Sequence, residues 1–409
     1  MTLLLTLDDQ DVVFASAFEI LRAAIRDRIF PAVSVAVTQK ERLIALKTFG
    51  KFVYEDDEQS LQKLDFDFSN SSVTPRTLFD LASVTKAVAT TTMAMLLYER
   101  GMLELDAPIV GTVPEFLLDS SGDSDPRRYG VTFRMLLAHS SGLPAYEKLF
   151  LKARSRDDLL TASLTMPLTA DPGTRAEYSD IGFIILGIAL ERLAREKLDA
   201  FCQGEIFGPL AMTSTTFNPS PDFRAAIPPT ADEREDLCGA DAPVRERRKA
   251  EPQPRGSQTK PRSTFRNRII QGEVQDENAS VLGGVAGHAG LFATAEDVAK
   301  FAHTMLQGGS PILRPETVRV FTRRDKTPGT SRALGWDTPS NPSQSGKYFG
   351  PKSYGHLGYT GTSLWIDPDR QLSVTLLTNR AWPDCFNHSI KELRPRFHDA
   401  VIECVDKLR

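Results

Sequence analysis

Ser83-Val84-Thr85-Lys86, followed by Ala87-Val88-Ala89-Thr90-Thr91-Thr92-Met93-Ala94-Met95-Leu96-Leu97-Tyr98, is the stretch on which the reading of this chain turns. The spacing predicts a helix opening near Leu81 and stopping at Gly101, a residue suited to a helix C-terminus. Between Ala87 and Tyr98 it carries no charge, and a helix apolar on every side is a buried one. Lys86 nevertheless sits in its first turn, and lysine is almost never buried without a partner. Desolvation there is expected to depress its pKa toward a neutral, basic amine. Ser83 lies three residues earlier, on the same helical face as Lys86. The helix N-terminus adds a positive field that favours a developing alkoxide. Nucleophile, base and field thus converge on four residues.

Two more segments carry chemistry. Pro172-Gly173 makes a turn, after which Tyr178-Ser179-Asp180 precedes an apolar helix over Ile181–Leu193. Ser179 or Asp180 suits the helix cap, and Tyr178 falls in the loop, free to project its hydroxyl into a cleft. Near the other end, Gly355-His356-Leu357-Gly358-Tyr359-Thr360-Gly361 opens a strand, with glycines that permit close approach of a ligand or backbone.

The flanking sequence sets the architecture. Val12–Ile29 has helical periodicity, with Phe14, Phe18, Leu21, Ile25 and Ile29 at steps of three or four. Ala32–Thr38 and Leu43–Phe49 read as a hairpin about Gln39–Arg42. His356–Ile366 and Gln371–Thr378 read as a second hairpin about Asp367-Pro368-Asp369-Arg370. A last helix is expected from Ser389 to Leu408, kinked at Pro395. The expected fold class is α/β (α+β). An antiparallel sheet is built from both chain ends (1–75 with 300–409) and flanked by helices. A mainly helical region, 76–299, is inserted between them. Pro219–Glu273 stands apart as a polar excursion, expected to be solvated. Within Asp241–Arg268 there are nine Lys/Arg against three Asp/Glu, net +6.

The order of Ser83-x-x-Lys86, Tyr178-x-Asp180 and His356-x-Gly358 resembles the serine β-lactamase and penicillin-binding-protein superfamily. It is most similar to the branch holding class C β-lactamases, DD-peptidases and family VIII esterases. Leu136–Leu143, Gly283–Phe292 and Gly361–Pro368 support the resemblance. It implies that Ser83 is the acylated nucleophile, with Lys86 and Tyr178 handling its proton and the Tyr178 phenol pKa lowered by the lysine charge. Which of the two takes the proton stays open. The resemblance also implies an oxyanion hole from the backbone N–H groups of Ser83 and Tyr359, with His356 and Gly358 on the facing strand wall. Two positions depart from the β-lactam-hydrolysing pattern: Asp180 replaces Asn, and His356 replaces Lys. Both lower the positive potential available to a β-lactam carboxylate.

The expected function is therefore a serine hydrolase that forms an acyl-enzyme on Ser83 and cleaves an ester or amide, as an esterase or a peptidoglycan-fragment peptidase would. A β-lactamase or DD-carboxypeptidase is the alternative, and a non-catalytic penicillin-binding or scaffold protein the alternative of another class. Survival of Ser83, Lys86 and Tyr178 together favours the enzyme. The glycine-rich Gly283–Gly290 lacks the Walker lysine and reads as a tight loop beside the cleft, with His288 and His139 more suited to structure than to catalysis.

Composition excludes other classes. With 49 basic and 53 acidic residues in 409, the net charge of −4 gives no bulk attraction for nucleic acid. Cys202, Cys238, Cys385 and Cys404 are scattered, and the six histidines fall into no metal-ligand spacing, so neither metal nor cofactor is expected. No apolar run is long enough to span a membrane, and Met1–Gln10 lacks a basic leader, so the expected location is the cytoplasm, with export the alternative if the start is truncated. The expected partner is a small ester, amide or peptide substrate. The oligomeric state is left open.

Overall fold

The computed structural model describes residues 4–62, 71–119, 122–234, 265–383 and 385–408. Six strands form the main sheet, in the order β1 (Leu4–Leu5), β3 (Arg42–Gly50), β2 (Ala32–Gln39), β11 (Leu372–Thr378), β10 (Ser363–Asp367) and β9 (Tyr354–Leu357). Both chain ends thus meet in one sheet, along the β2–β11 seam that pairs Ala32–Gln39 with Leu372–Thr378. All pairings are antiparallel except the two-residue β1–β3 contact. The fold is α/β, a sheet flanked by helices.

Alternation along β2 explains its apolar run. Val33, Val35 and Val37 enter one buried cluster, with Phe14, Phe18 and Leu21 from the N-terminal helix and Phe397 and Val401 from the C-terminal one. Ala32 and Ala36 face the other cluster, with Phe301 and Val298 of the helix Ala295–Leu306. A strand buried on both faces reads as continuous β-branched and small residues.

Three local expectations are corrected. The N-terminal helix is interrupted at Phe14, giving Gln10–Val13 and Ala15–Arg26. His356–Ile366 is two strands, β9 and β10, joined by a turn over residues 358–362, so the C-terminal part is a three-stranded meander. The turn is forced by close packing: a Cβ at Gly358 would lie 1.8 Å from Thr362 Oγ1 and 2.6 Å from the Leu81 carbonyl, and Gly361 has φ +93°. The polar excursion is not wholly solvated. Its described ends pair as β6 (Ala231–Asp232) and β7 (Ile269–Ile270), and the Glu233–Arg266 ion pair at 2.7 Å is buried. The centre of its basic run lies outside the described residues.

The inserted region is mostly helical but also holds a small sheet, β4 (Phe79–Asp80), β8 (Leu291–Ala293) and β5 (Thr216–Phe217). β4 leads directly into Leu81-Ala82-Ser83 and so fixes where the helix after Ser83 begins. Among the described residues, no helix is long and apolar enough to cross a membrane.

Candidate active site

The helix behind Ser83 is π-helical over Lys86–Thr91 and α-helical over Thr92–Glu99, with Lys86 through Leu97 buried, as its lack of charge requires. Short π segments are wide turns that recur at functional sites. Just before it, Ala82 adopts φ +46°, a left-handed conformation that costs free energy for a residue with a Cβ. Asp80 holds it there by accepting the Ala82 N–H at 2.8 Å, and its other oxygen accepts the Gln275 N–H at 2.7 Å. Burial pushes the Asp80 carboxyl up to about 6.

Lys86 is fully buried, and its ammonium has three acceptors. They are Ser83 Oγ at 3.0 Å, Asp180 Oδ1 at 2.6 Å and the His288 carbonyl at 3.0 Å. Three donors meet three acceptors, so the group is satisfied as a cation. Burial alone would lower its pKa, but the Asp180 carboxylate, with a smaller contribution from Tyr178, outweighs burial and holds it above the ordinary lysine value. The expected neutral amine is thereby corrected: Asp180 supplies the anion that an asparagine would not. Tyr178 is corrected likewise. Burial raises its phenol, and the nearby Lys86 charge only partly offsets this, so the net direction is upward. Its hydroxyl faces Lys86 and Ser83, and Lys86 Nζ lies 4.9 Å from the ring centroid.

Ser179 caps the helix Asp180–Ala194, its hydroxyl accepting the Gly182 N–H at 3.0 Å and donating to the Pro144 carbonyl at 2.7 Å. That cap places Asp180 in the first turn, aimed at Lys86. Tyr178 stacks on His139 (centroids 4.5 Å), which stacks on Phe183 (4.9 Å). His139 accepts the Ser179 N–H at 3.0 Å, the loop-bracing part expected of it.

On the facing wall, His356 Nδ1 donates to the Leu357 carbonyl at 2.9 Å. Burial, together with the charges of Lys86 and Arg332, drives its pKa well below the ordinary histidine value. Its Nε2 is therefore an unprotonated acceptor, buried and without a partner among the described residues. Gly358 and Tyr359 line the same cleft as Ser83, a space of about 480 Å³. Neither the Ser83 nor the Tyr359 backbone N–H has an acceptor among the described residues, although the N–H groups of Val84, Thr85, Lys86 and Gly358 all do. Two unoccupied donors beside a serine hydroxyl are what an oxyanion hole requires.

Sequence reasoning missed several groups. Arg332 lines the cleft with its guanidinium 5.1 Å from the Tyr178 ring centroid, which corrects the expectation of low positive potential. Asp276 lines the cleft and binds His288 Nε2 at 2.7 Å. Burial would raise its carboxyl, but His288 and the Ala279 N–H hold it below the usual range. Only the adjacent Gly283–Gly290 run hinted at this wall. There Gly287 is required, since a Cβ would lie 2.1 Å from the Phe183 carbonyl. Among the described residues, no cluster of His, Cys, Asp and Glu is placed to hold a metal ion. Cys202, Cys385 and Cys404 are free thiols, and Cys238 lies outside the described residues.

The family described as Beta-lactamase matches residues 19–389, nearly the whole chain. The chain belongs to the Beta-lactamase family. It is 29% identical over 371 residues to an Escherichia coli (strain K12) protein named "Putative D-alanyl-D-alanine carboxypeptidase", covering 86% of this chain and 79% of that one. It is 30% identical over 373 residues to the N-acetylmuramyl-L-alanine amidase of Bacillus subtilis (strain 168), covering 86% and 77%. Among solved structures it shares the fold of EstCE1, a hydrolase with promiscuous acyltransferase activity, at TM-score 0.69 and 21% identity over 96% of this chain and 99% of that one. Family and fold together make the chain a serine hydrolase of the β-lactamase-related superfamily.

Proposed function

We propose that Ser83 is acylated by an ester or amide substrate and that water then releases the acyl group. The observation that carries this is Lys86, buried and hydrogen-bonded at once to Ser83 Oγ and Asp180, beside two backbone N–H groups with no acceptor among the described residues. As Ser83 Oγ attacks the carbonyl carbon, its proton passes to Lys86 Nζ while a Lys86 proton passes to Asp180 Oδ1. The carbonyl oxygen gathers charge between the Ser83 and Tyr359 N–H groups, worth several kcal/mol of transition-state stabilisation. Tyr178, kept a neutral phenol, donates its proton to the leaving oxygen or nitrogen as the C–O or C–N bond breaks. The proton held by Asp180 and Lys86 then restores the phenol.

The test is labelling with a fluorophosphonate and with penicillin, followed by peptide mapping. A single adduct on Ser83, together with burst kinetics on a p-nitrophenyl ester, supports the reading; an adduct at another residue, or none, overturns it.

Arg332 favours a second reading on substrate class. A guanidinium in the cleft can accept a carboxylate in a two-pronged contact. The relatives are named for a D-alanyl-D-alanine carboxypeptidase and a muramyl-alanine amidase. Hydrolysis of a peptide that carries a free carboxylate would use that contact, whereas a neutral ester would not.

A further inference from the structure

Arg394, on the C-terminal helix Ile390–Asp406, is buried and has no carboxylate partner among the described residues. Burial and the neighbouring Arg380 pull its pKa down to about 9, which leaves it a cation at neutral pH. A buried charge without a counter-charge is costly and calls for a reason. The hydrogen bonds of its Nε and Nη2 go to backbone carbonyls of one turn. Nη2 reaches Gly358 O at 2.6 Å and Thr362 O at 2.8 Å, and Nε reaches Gly361 O at 3.3 Å. Arg380 covers the remaining two carbonyls, with Nε on Tyr359 O at 2.9 Å and its backbone N–H on Thr360 O at 2.9 Å. Every carbonyl between 358 and 362 is thus occupied, yet the Tyr359 N–H has no acceptor among the described residues.

Gly358 C=O and Tyr359 N–H belong to the same peptide group. In a planar trans peptide the two point in opposite directions, so a donor that fixes the oxygen from behind also aims the N–H forward. A cationic donor on that oxygen further polarises the amide and strengthens the N–H as a donor. The same turn is tied to the nucleophile strand, with Thr360 Oγ1 donating to Asp80 O at 2.8 Å and Thr362 Oγ1 to Leu81 O at 3.1 Å. These bonds set the spacing between the Tyr359 and Ser83 N–H groups.

We infer that Arg394, which also lines the cleft, is a positioning residue of the oxyanion hole, holding and polarising the Gly358–Tyr359 peptide through its carbonyl oxygen. The inference rests on the Ser83 acyl-enzyme reading. The experiment compares the wild-type chain with Arg394→Met and Arg394→Lys on a p-nitrophenyl ester and its thionoester, whose sulfur depends less on these donors. Thermal unfolding of each protein is measured alongside. Arg394→Met is expected to lower kcat on the ester by roughly ten- to a hundredfold, less than the loss of a whole donor, with KM nearly unchanged. The ester-to-thionoester rate ratio should fall with it, and Arg394→Lys, which can hold only part of the turn, should lie between. Where Arg394→Met does not fold, the ratio for Arg394→Lys decides. Equal losses on both substrates, leaving the ratio at its wild-type value, mark a merely structural residue and overturn the inference. The underlying reading is checked separately by mass spectrometry of the wild-type ester adduct. An adduct on Ser83 with an unchanged variant ratio overturns this inference alone, and no Ser83 adduct overturns both.

Discussion

Replacing Asp180 by Asn removes one negative charge and preserves the shape of the side chain. The contact it alters is the 2.6 Å ion pair with fully buried Lys86. At an effective dielectric of about 20, unit charges that close attract by on the order of 6 kcal/mol. Much of this offsets the desolvation of the two groups. Removing one partner of a buried pair typically costs about 3–5 kcal/mol, because the other charge is left uncompensated. The amide oxygen still accepts the Lys86 hydrogen bond, so the expected loss is about 3 kcal/mol at neutral pH.

The sign of the pH dependence separates this explanation from a simple packing defect. In the wild-type chain Lys86 is held above the ordinary lysine value, so it is protonated in both folded and unfolded states at neutral pH. Its stabilisation is fully present there and is lost only as pH climbs through the folded-state value. Without the Asp180 charge, burial dominates and the folded-state value falls below the unfolded one. Between those values the unfolded chain binds more protons, so the variant gains stability as pH rises. The gap between wild type and Asp180→Asn should therefore be widest near pH 7 and close toward pH 10. Urea unfolding across that range measures it. A gap that stays constant would refute the buried ion pair as the cause. The same variant tests the proton route. With Asp180 as the final acceptor, kcat at pH 7 should fall at least about tenfold, or about 1.4 kcal/mol of barrier. A variant as fast as wild type would remove Asp180 from that route.

Ser83→Ala should abolish ester turnover and probe labelling while moving the melting temperature little, since the lysine bonded to that hydroxyl keeps two other acceptors; retained labelling would disprove the assigned nucleophile. For a p-nitrophenyl butyrate, kcat/KM should exceed that for a chromogenic cephalosporin by at least about tenfold, and Arg332→Met should slow the cephalosporin more than the ester. Steady-state kinetics with both proteins decides it, and a cephalosporin rate equal to the ester rate would restore the β-lactamase alternative. Glu233→Gln strands buried Arg266 and should destabilise by about 3–5 kcal/mol in urea titration; a loss under about 1 kcal/mol would show that the carbonyls of Val274 and Gln275 suffice for that guanidinium.

What the sequence made legible has a common physical origin. The Ser83 helix showed itself because twelve residues without a charge cannot face water, and the β2 strand because both of its faces are buried. Ser179 and Asp180 stood out as a cap before an apolar run. What stayed hidden depends on partners distant in the chain. Asp180 was singled out as an anion, but that it closes on Lys86, ninety-four positions away, is set by packing. The charge state of Lys86 was misread for that reason alone. Arg332 and Arg394 carry no motif, and in sequence neither differs from a surface arginine. The split of His356–Ile366 into two strands turns on Gly358 and Gly361, whose need for close approach and positive φ shows only once Thr362 and Leu81 are packed beside them. The π-helical register of Lys86–Thr91 leaves no trace in hydrophobic periodicity, because all its residues are buried.

The corrected charges also relocate the question of substrate choice. With Asp180 neutralising Lys86 and His356 held neutral, the motif residues contribute little net potential. One positive charge in the cleft outside the motifs is Arg332, set against the Tyr178 ring and only loosely paired to Asp337 at 3.7 Å. A substrate carboxylate would be drawn toward Arg332, beside the Tyr178 and His356 rings. A neutral ester and a carboxylate-bearing peptide would share Ser83, Lys86 and the two N–H donors and differ chiefly in their use of Arg332. Substrate preference would then be set by one side chain outside the three motifs, so two family members with identical motifs can differ in what they cleave.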